Sequence, residues 1–166
     1  CDEEKVEILG RLDGVYCYPF TLMCYDMLQR MVEICKRTGH KGLIINLSSF
    51  ARDNPIAKWG VYGATKMCDD FFSRTIRYEY RESVEITSVR PSAVSTRMPA
   101  MIGFKKKGGL AQVSPESFVS AVLSNLHKGT HIGHLWHEIQ AFFMNLIPDF
   151  MKPSMLPCML ALAKKL

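Results

Sequence analysis

The sequence predicts an α/β fold in which helices alternate with short parallel strands. Two long stretches carry apolar residues at intervals of three and four, short β-rich runs follow each of them, and a proline-led start opens a third helical stretch. An order of α, β, α, β, α and a final β-like run calls for right-handed crossovers and a parallel sheet. At 166 residues the chain is long enough for one domain with a real core.

Over residues 15 to 36, Leu22, Met23, Met27, Leu28, Met31, Val32 and Ile34 share one helical face, and Pro19 fits only the first turn. This helix is expected to stop near Thr38-Gly39. The run LIINLSS, Leu43 to Ser49, reads as a strand covered on both faces. A loop through Asn54-Pro55 leads to a second helix from Val61 to Glu82, with Ala64, Met67, Cys68, Phe71, Phe72, Ile76 and Tyr80 in register. VEITSVRP, Val84 to Pro91, is the next strand. Ser114-Pro115-Glu116 then supplies a capping hydroxyl, a proline at the first helical position and a carboxylate at the positive end of the dipole. That helix should run to Lys128 and stop at Gly129, and HIGHLWHE, His131 to Glu138, is expected as a third strand. The chain thus divides into an irregular start (1 to 14), the α/β unit (15 to 137) and an apolar Met- and Pro-rich tail (138 to 166) that forms a lid or lies on a membrane.

The net charge of +5 is modest, and the one dense basic run, Lys105-Lys106-Lys107, ends in Gly108-Gly109 and reads as a solvated loop. No aromatic residues interleave with it, which argues against a nucleic-acid partner. Six scattered cysteines without a C-x-x-C pair fit a reduced, cytosol-facing protein. His127, His131, His134 and His137 crowd together, but on a strand His134 faces away from His131 and His137, and no acidic or cysteine ligand completes a set, so no metal site is expected.

The chemistry concentrates around Tyr62 and Lys66, one helical turn apart on the same side. A positive charge beside a phenol favours phenolate and brings tyrosine toward acid-base work near neutral pH. Ser49, thirteen residues earlier at a strand end, can aim its hydroxyl at the same substrate oxygen. A Tyr and a Lys four apart are in themselves an ordinary solvated face. The order strand, Ser49, Tyr62, Lys66, followed by a strand ending in the turn Pro91 to Thr96, puts every candidate at carboxyl ends of strands, where open α/β sheets bind ligands.

Asn46-Leu47-Ser48-Ser49, Tyr62-Gly63-Ala64-Thr65-Lys66 and Pro91-Ser92-Ala93-Val94-Ser95-Thr96 resemble the motifs of the short-chain dehydrogenase/reductase family. Residues 69 to 83 and 114 to 123 look most like its 17-beta-hydroxysteroid dehydrogenase and very-long-chain 3-oxoacyl-CoA reductase branch, and the resemblance covers residues 15 to 150. It implies a doubly wound, Rossmann-like parallel sheet and hydride transfer between NADP(H) or NAD(H) and a lipid-like carbonyl or alcohol. Tyr62 would move the proton, Lys66 would lower its pKa and hold the nicotinamide ribose, and Ser49 would stabilise the substrate oxygen. Pro91, Val94 and Thr96 would meet the nicotinamide. A homodimer through the two long helices and a cytosol-facing place at the endoplasmic reticulum with peripheral membrane contact are also implied; the fallback is the cytoplasm.

The sequence departs from the family in three places. The glycine-rich Thr-Gly-x-x-x-Gly-x-Gly turn and the Asn-Asn-Ala-Gly strand are absent, no asparagine stands at residues 11 to 18, and Ser92 replaces a glycine. The expectation is therefore a partial sheet, the C-terminal half of the fold without its cofactor half, with an unpaired edge prone to association. The rival expectation is a non-catalytic module that associates through its helices.

Overall fold

The computed structural model describes residues 3–57, 59–97 and 112–154, with the side chains of 3–13, 15 and 16 left outside that set. Lys105 to Lys107, Cys1 and Cys158 lie outside the described residues, as does the tail beyond Ser154.

Helix α1 spans Glu3–Thr38 and begins well before the expected start at residue 15. Pro19 lies inside it and not in a first turn. Proline removes one helical hydrogen bond, and the Thr21 hydroxyl, two residues on, donates to the carbonyls of Cys17 and Tyr18, at 3.0 Å each. The helix ends where expected: Gly39 adopts φ 74° and its amide closes on the Cys35 carbonyl at 2.8 Å.

Strand β1, Gly42–Leu47, pairs in parallel with β2, Val84–Val89, from Gly42 opposite Val84 to Leu47 opposite Val89. Strand β3, Thr130–His131, pairs with the other side of β2, so β2 is central and β1 lies at one edge. Between β1 and β2 come a 3₁₀ turn, Phe50–Arg52, and helix α2, Gly60–Tyr80, close to its expected span. Helix α3, Pro115–Ser124, is capped by the Ser114 hydroxyl, which accepts from the Ser117 amide, and a 3₁₀ turn at Leu126–Lys128 leads to Gly129.

Two expectations about strands fail. HIGHLWHE is not a strand beyond His131: Gly133 takes φ 97°, the His134 ring accepts from the Trp136 amide as an N-cap, and helix α4 runs from Leu135 to Asn145. A Cβ at Gly133 would meet the Phe118 ring at 2.7 Å, so the break is fixed by close packing as well as by backbone shape. β1, moreover, is covered on one face only. Helices α1 and α2 pack against Ile44 and Asn46, while Leu43, Ile45 and Leu47 on the opposite face are exposed.

The main core is built on the covered face from Cys24 and Leu28 of α1, Ile76 of α2, and Val84 and Ile86 of β2, with Phe72 edge-on to Phe20. A second cluster of Val89, Val113, Phe118 and Val122 packs α3 near the carboxyl end of β2. This arrangement places the ends of β1 and β2, and the first turns of α2, at one rim.

Candidate active site at the strand ends

The rim is tied together by short polar bonds from both strands. The chain leaves β1 still paired, its Ser48 amide donating to the Val89 carbonyl at 2.8 Å, and the buried Ser48 hydroxyl then donates to the Lys66 carbonyl at 2.6 Å. Lys66 in return sends its ammonium back to the Leu47 carbonyl at 3.3 Å. The second turn of α2 is thereby fastened to the end of β1 at two points.

Ser49 caps the 3₁₀ turn, its Oγ accepting from the Ala51 amide at 3.1 Å. That cap uses one lone pair and leaves the O–H available as a donor. Two residues later the turn meets α2: a Cβ at Gly63 would stand 3.1 Å from the Ala51 carbonyl oxygen, so the missing side chain permits the approach. Tyr62, next to that contact, is half-buried in the first turn of α2, edge-on to Trp59 with ring centres 5.8 Å apart. Ser49, Tyr62 and Lys66 therefore gather at the end of β1 and the start of α2.

The turn after β2 joins the same rim. The Pro91 carbonyl accepts from the Phe50 amide at 2.9 Å, and Val94 forms a parallel bridge with Val113. The Thr96 amide folds back onto the Val94 carbonyl at 2.7 Å, leaving its exposed side chain at the far end of the turn. A hollow of about 180 Å³ between the 3₁₀ turn and α2 is lined by Ala51, Asn54, Trp59, Gly63 and Met67 among others, but by neither Ser49 nor Tyr62. It lies off the chemistry, on another face of α2.

Three features of the rim escape sequence reasoning. The first is His137, fully buried, whose Nδ1 accepts from the Ser92 amide at 3.4 Å while Nε2–H donates to the Ala93 carbonyl at 3.2 Å. Those two bonds require the neutral ring, and burial lowers its pKa to about 4 despite the Ala93 bond, with His134 adding to the fall. The second is a charge network behind Ser49. Arg52 pairs with Asp53 at 2.8 Å and with the buried Asp70, Arg90 pairs with Asp53 at 2.9 Å, and Asp70 also accepts from the Ser88 hydroxyl at 2.6 Å. The third is Asp69, whose buried carboxylate holds the Lys66 ammonium at 2.8 Å. Burial raises the Asp69 pKa, opposed by the hydrogen bond and charge of Lys66. Only Asp69 left a local signal, an acid three residues after the lysine.

Among the described residues no three His, Cys, Asp or Glu side chains gather as a metal site needs. The family model described as short chain dehydrogenase matches residues 17–106, which hold both strand ends and the Tyr62 to Lys66 turn. The chain belongs to the short-chain dehydrogenase family. Its similarity extends to the very-long-chain 3-oxoacyl-CoA reductase of Caenorhabditis briggsae, 27% identical over 91% of this chain and 46% of that protein. The human very-long-chain 3-oxoacyl-CoA reductase is 32% identical over 72% of this chain and 41% of its own length. Hydroxysteroid dehydrogenase-like protein 1 of Gallus gallus is 27% identical over 90% and 50%. The chain thus spans about half the length of the curated relatives it matches. Among solved structures, the short-chain dehydrogenase of Sphingobium yanoikuyae in complex with NADPH superposes with a TM-score of 0.65 at 20% identity, over 83% of this chain and 55% of that one. The bulky-bulky ketone specific alcohol dehydrogenase of Comamonas testosteroni gives 0.59 at 20%, over 83% and 53%. These two likenesses speak for the fold: three parallel strands of a partial Rossmann-like sheet.

Proposed function

We propose that this chain carries the catalytic residues of a nicotinamide-dependent oxidoreductase acting on a lipid-like carbonyl or alcohol of the 3-oxoacyl-CoA or hydroxysteroid class. The observation that supports this reading is the double fastening of Lys66, by Ser48 and to Leu47, which ties the second turn of α2 to the end of β1 that Ser49 follows. The donor set suits the nicotinamide end of such a cofactor: an ammonium, a phenol and a serine hydroxyl at carboxyl ends of parallel strands, beside the turn bearing Pro91, Val94 and Thr96. It does not suit the pyrophosphate end, because the sequence has no glycine-rich turn opening a helix. A bound nicotinamide supplies or accepts the hydride. Tyr62 gives its phenolic proton to the substrate oxygen in the reductive direction and takes it in the other, and the Ser49 O–H donates to that same oxygen. Lys66 supplies positive charge to the phenol and an N–H donor to the ribose.

The cofactor in this scheme is NADP(H) or NAD(H). A homodimer through α1 and α2, and a cytosol-facing position at the endoplasmic reticulum with peripheral membrane contact, complete the proposal. Among the described residues no helix is long and apolar enough to cross a membrane.

A second reading draws support from the exposed side chains Tyr18, Leu22 and Tyr25 on α1 and Phe71 and Tyr78 on α2: a non-catalytic module that associates through these helices. Substituting Tyr62→Phe separates the two. NADPH-dependent reduction of a 3-oxoacyl-CoA, followed by the loss of nicotinamide fluorescence, should fall by at least two orders of magnitude in the variant. Unchanged turnover would sink the catalytic reading. No turnover by either protein, with dimerisation intact in both, would favour the module.

A further inference from the structure

The Lys66 ammonium is not presented to Tyr62 as a lone charge. One of its hydrogen bonds runs to the Leu47 carbonyl and another to Asp69 Oδ2 at 2.8 Å, on the same face of α2 and one turn further from Tyr62. Both partners of the pair are largely buried, with 13% of the Lys66 side chain and 3% of the Asp69 side chain exposed. Asp69 Oδ1 has no hydrogen-bond partner among the described residues, so the carboxylate leans on Lys66 for its compensation. The elements packed around it add little. Helix α1 contributes the neutral thiol of Cys24, whose proton is retained more firmly because of burial; β1 contributes the uncharged Asn46, which donates to Ser73; and Asp70 turns away to Ser88, Arg52 and Arg74.

We propose that Asp69 is a positioning residue that sets how much positive charge Lys66 presents to Tyr62. Ionised, it holds the ammonium toward the second turn of α2 and offsets its charge. Protonated, or replaced by a neutral residue, it releases that charge toward the phenol. An ion pair screened from water loses little of its mutual attraction to solvent, so its field at a third group is that of a dipole and not of a cation. The acidity of Tyr62 then depends on a residue seven positions away that need never touch substrate. This inference rests on the catalytic reading of Tyr62 and Lys66, yet it concerns the unliganded chain.

The test is a titration of the 166-residue chain with ¹³C-labelled tyrosine rings, the Tyr62 resonance being identified among six tyrosines by its absence in Tyr62→Phe. In Asp69→Asn, the Tyr62 signal should change at a lower pH than in the unaltered chain. With Lys66→Met also in place, the same substitution should shift Tyr62 by less than half as much, because the effect travels through the lysine. An unmoved Tyr62 in Asp69→Asn, or an equal shift with and without Lys66, would overturn the proposal. Should Asp69→Asn fail to fold, the unaltered chain decides: the Lys66 ¹³Cε signal must follow the protonation of the Asp69 carboxyl, and independence of the two would be fatal. No cofactor takes part, so absent turnover with these shifts present would count against the oxidoreductase reading alone.

Discussion

Acidification from pH 7 to pH 4 should cost the protein about 3 kcal/mol through His137. An exposed imidazole protonates near 6.5, whereas the buried ring of His137 resists protonation down to about 4. Below pH 6.5 the unfolded chain takes up a proton that the folded chain refuses, so stability is full above that pH and drains away until the folded ring also protonates. A gap of about 2.5 pH units at about 1.36 kcal/mol per unit gives the magnitude. The structural reason is the pair of bonds to the turn after β2: a protonated Nδ1 would point a hydrogen at the Ser92 amide it now accepts from. Urea unfolding followed by far-ultraviolet circular dichroism, at pH 7 and pH 4.5, on the unaltered chain and on His137→Gln, isolates this effect. Glutamine does not titrate, so the variant starts about 1 kcal/mol weaker from imperfect bonds to Ser92 and Ala93 but loses about 2.5 kcal/mol less on acidification. His131, whose pKa burial also lowers, acts alike in both proteins and cancels. Parallel losses in the two proteins would refute the reasoning.

Asp70→Ala should destabilise by about 3 kcal/mol or more in the same urea assay, because it strands the largely buried Arg52 guanidinium; a loss under 1 kcal/mol would mean that Asp53 alone satisfies it. Gly129→Ala should lower stability by at least about 1 kcal/mol, since φ is 74° and a Cβ would collide with the Arg77 guanidinium; a Tm within a degree of the unaltered chain would contradict this. The exposed face of β1 should drive association beyond any pairing through α1 and α2 at micromolar concentration, and the double substitution Leu43→Lys with Ile45→Lys should shift sedimentation toward smaller species. A monomer before substitution would remove the basis for that expectation.

Much of the fold was legible because its signals are local. Ser114, Pro115 and Glu116 mark a helix start with three independent residues, and α3 begins there, its serine bonded as a cap. The apolar register of α2 placed its ends within two residues, and the residues that spacing singled out, Ser49, Tyr62 and Lys66, sit at the end of β1 and in the first turns of α2. Pro19 misled because the rule about proline is local, whereas α1 gains its stability by packing Cys24 and Leu28 against the sheet. The strand expected at 131 to 138 breaks off because Gly133 packs against a ring on α3, a neighbour that no window around it contains. The one-sided burial of β1 was hidden too, since Leu43 and Ile44 look alike in sequence and only the positions of α1 and α2 tell them apart. His137 contacts residues 44 and 45 positions earlier, so no spacing could have marked it.

The turn carrying Pro91, Val94 and Thr96 lies inside the stretch that matches the family model, which ends at residue 106. Phe50, which donates to the Pro91 carbonyl, lies inside it too, but two further groups that hold the shape of the turn do not: Val113 bridges Val94, and His137 grips Ser92 and Ala93 from helix α4. A chimera grafting residues 17 to 106 onto another scaffold would therefore transplant the letters of this turn without the clamp that folds it. Any transferable unit must reach as far as His137.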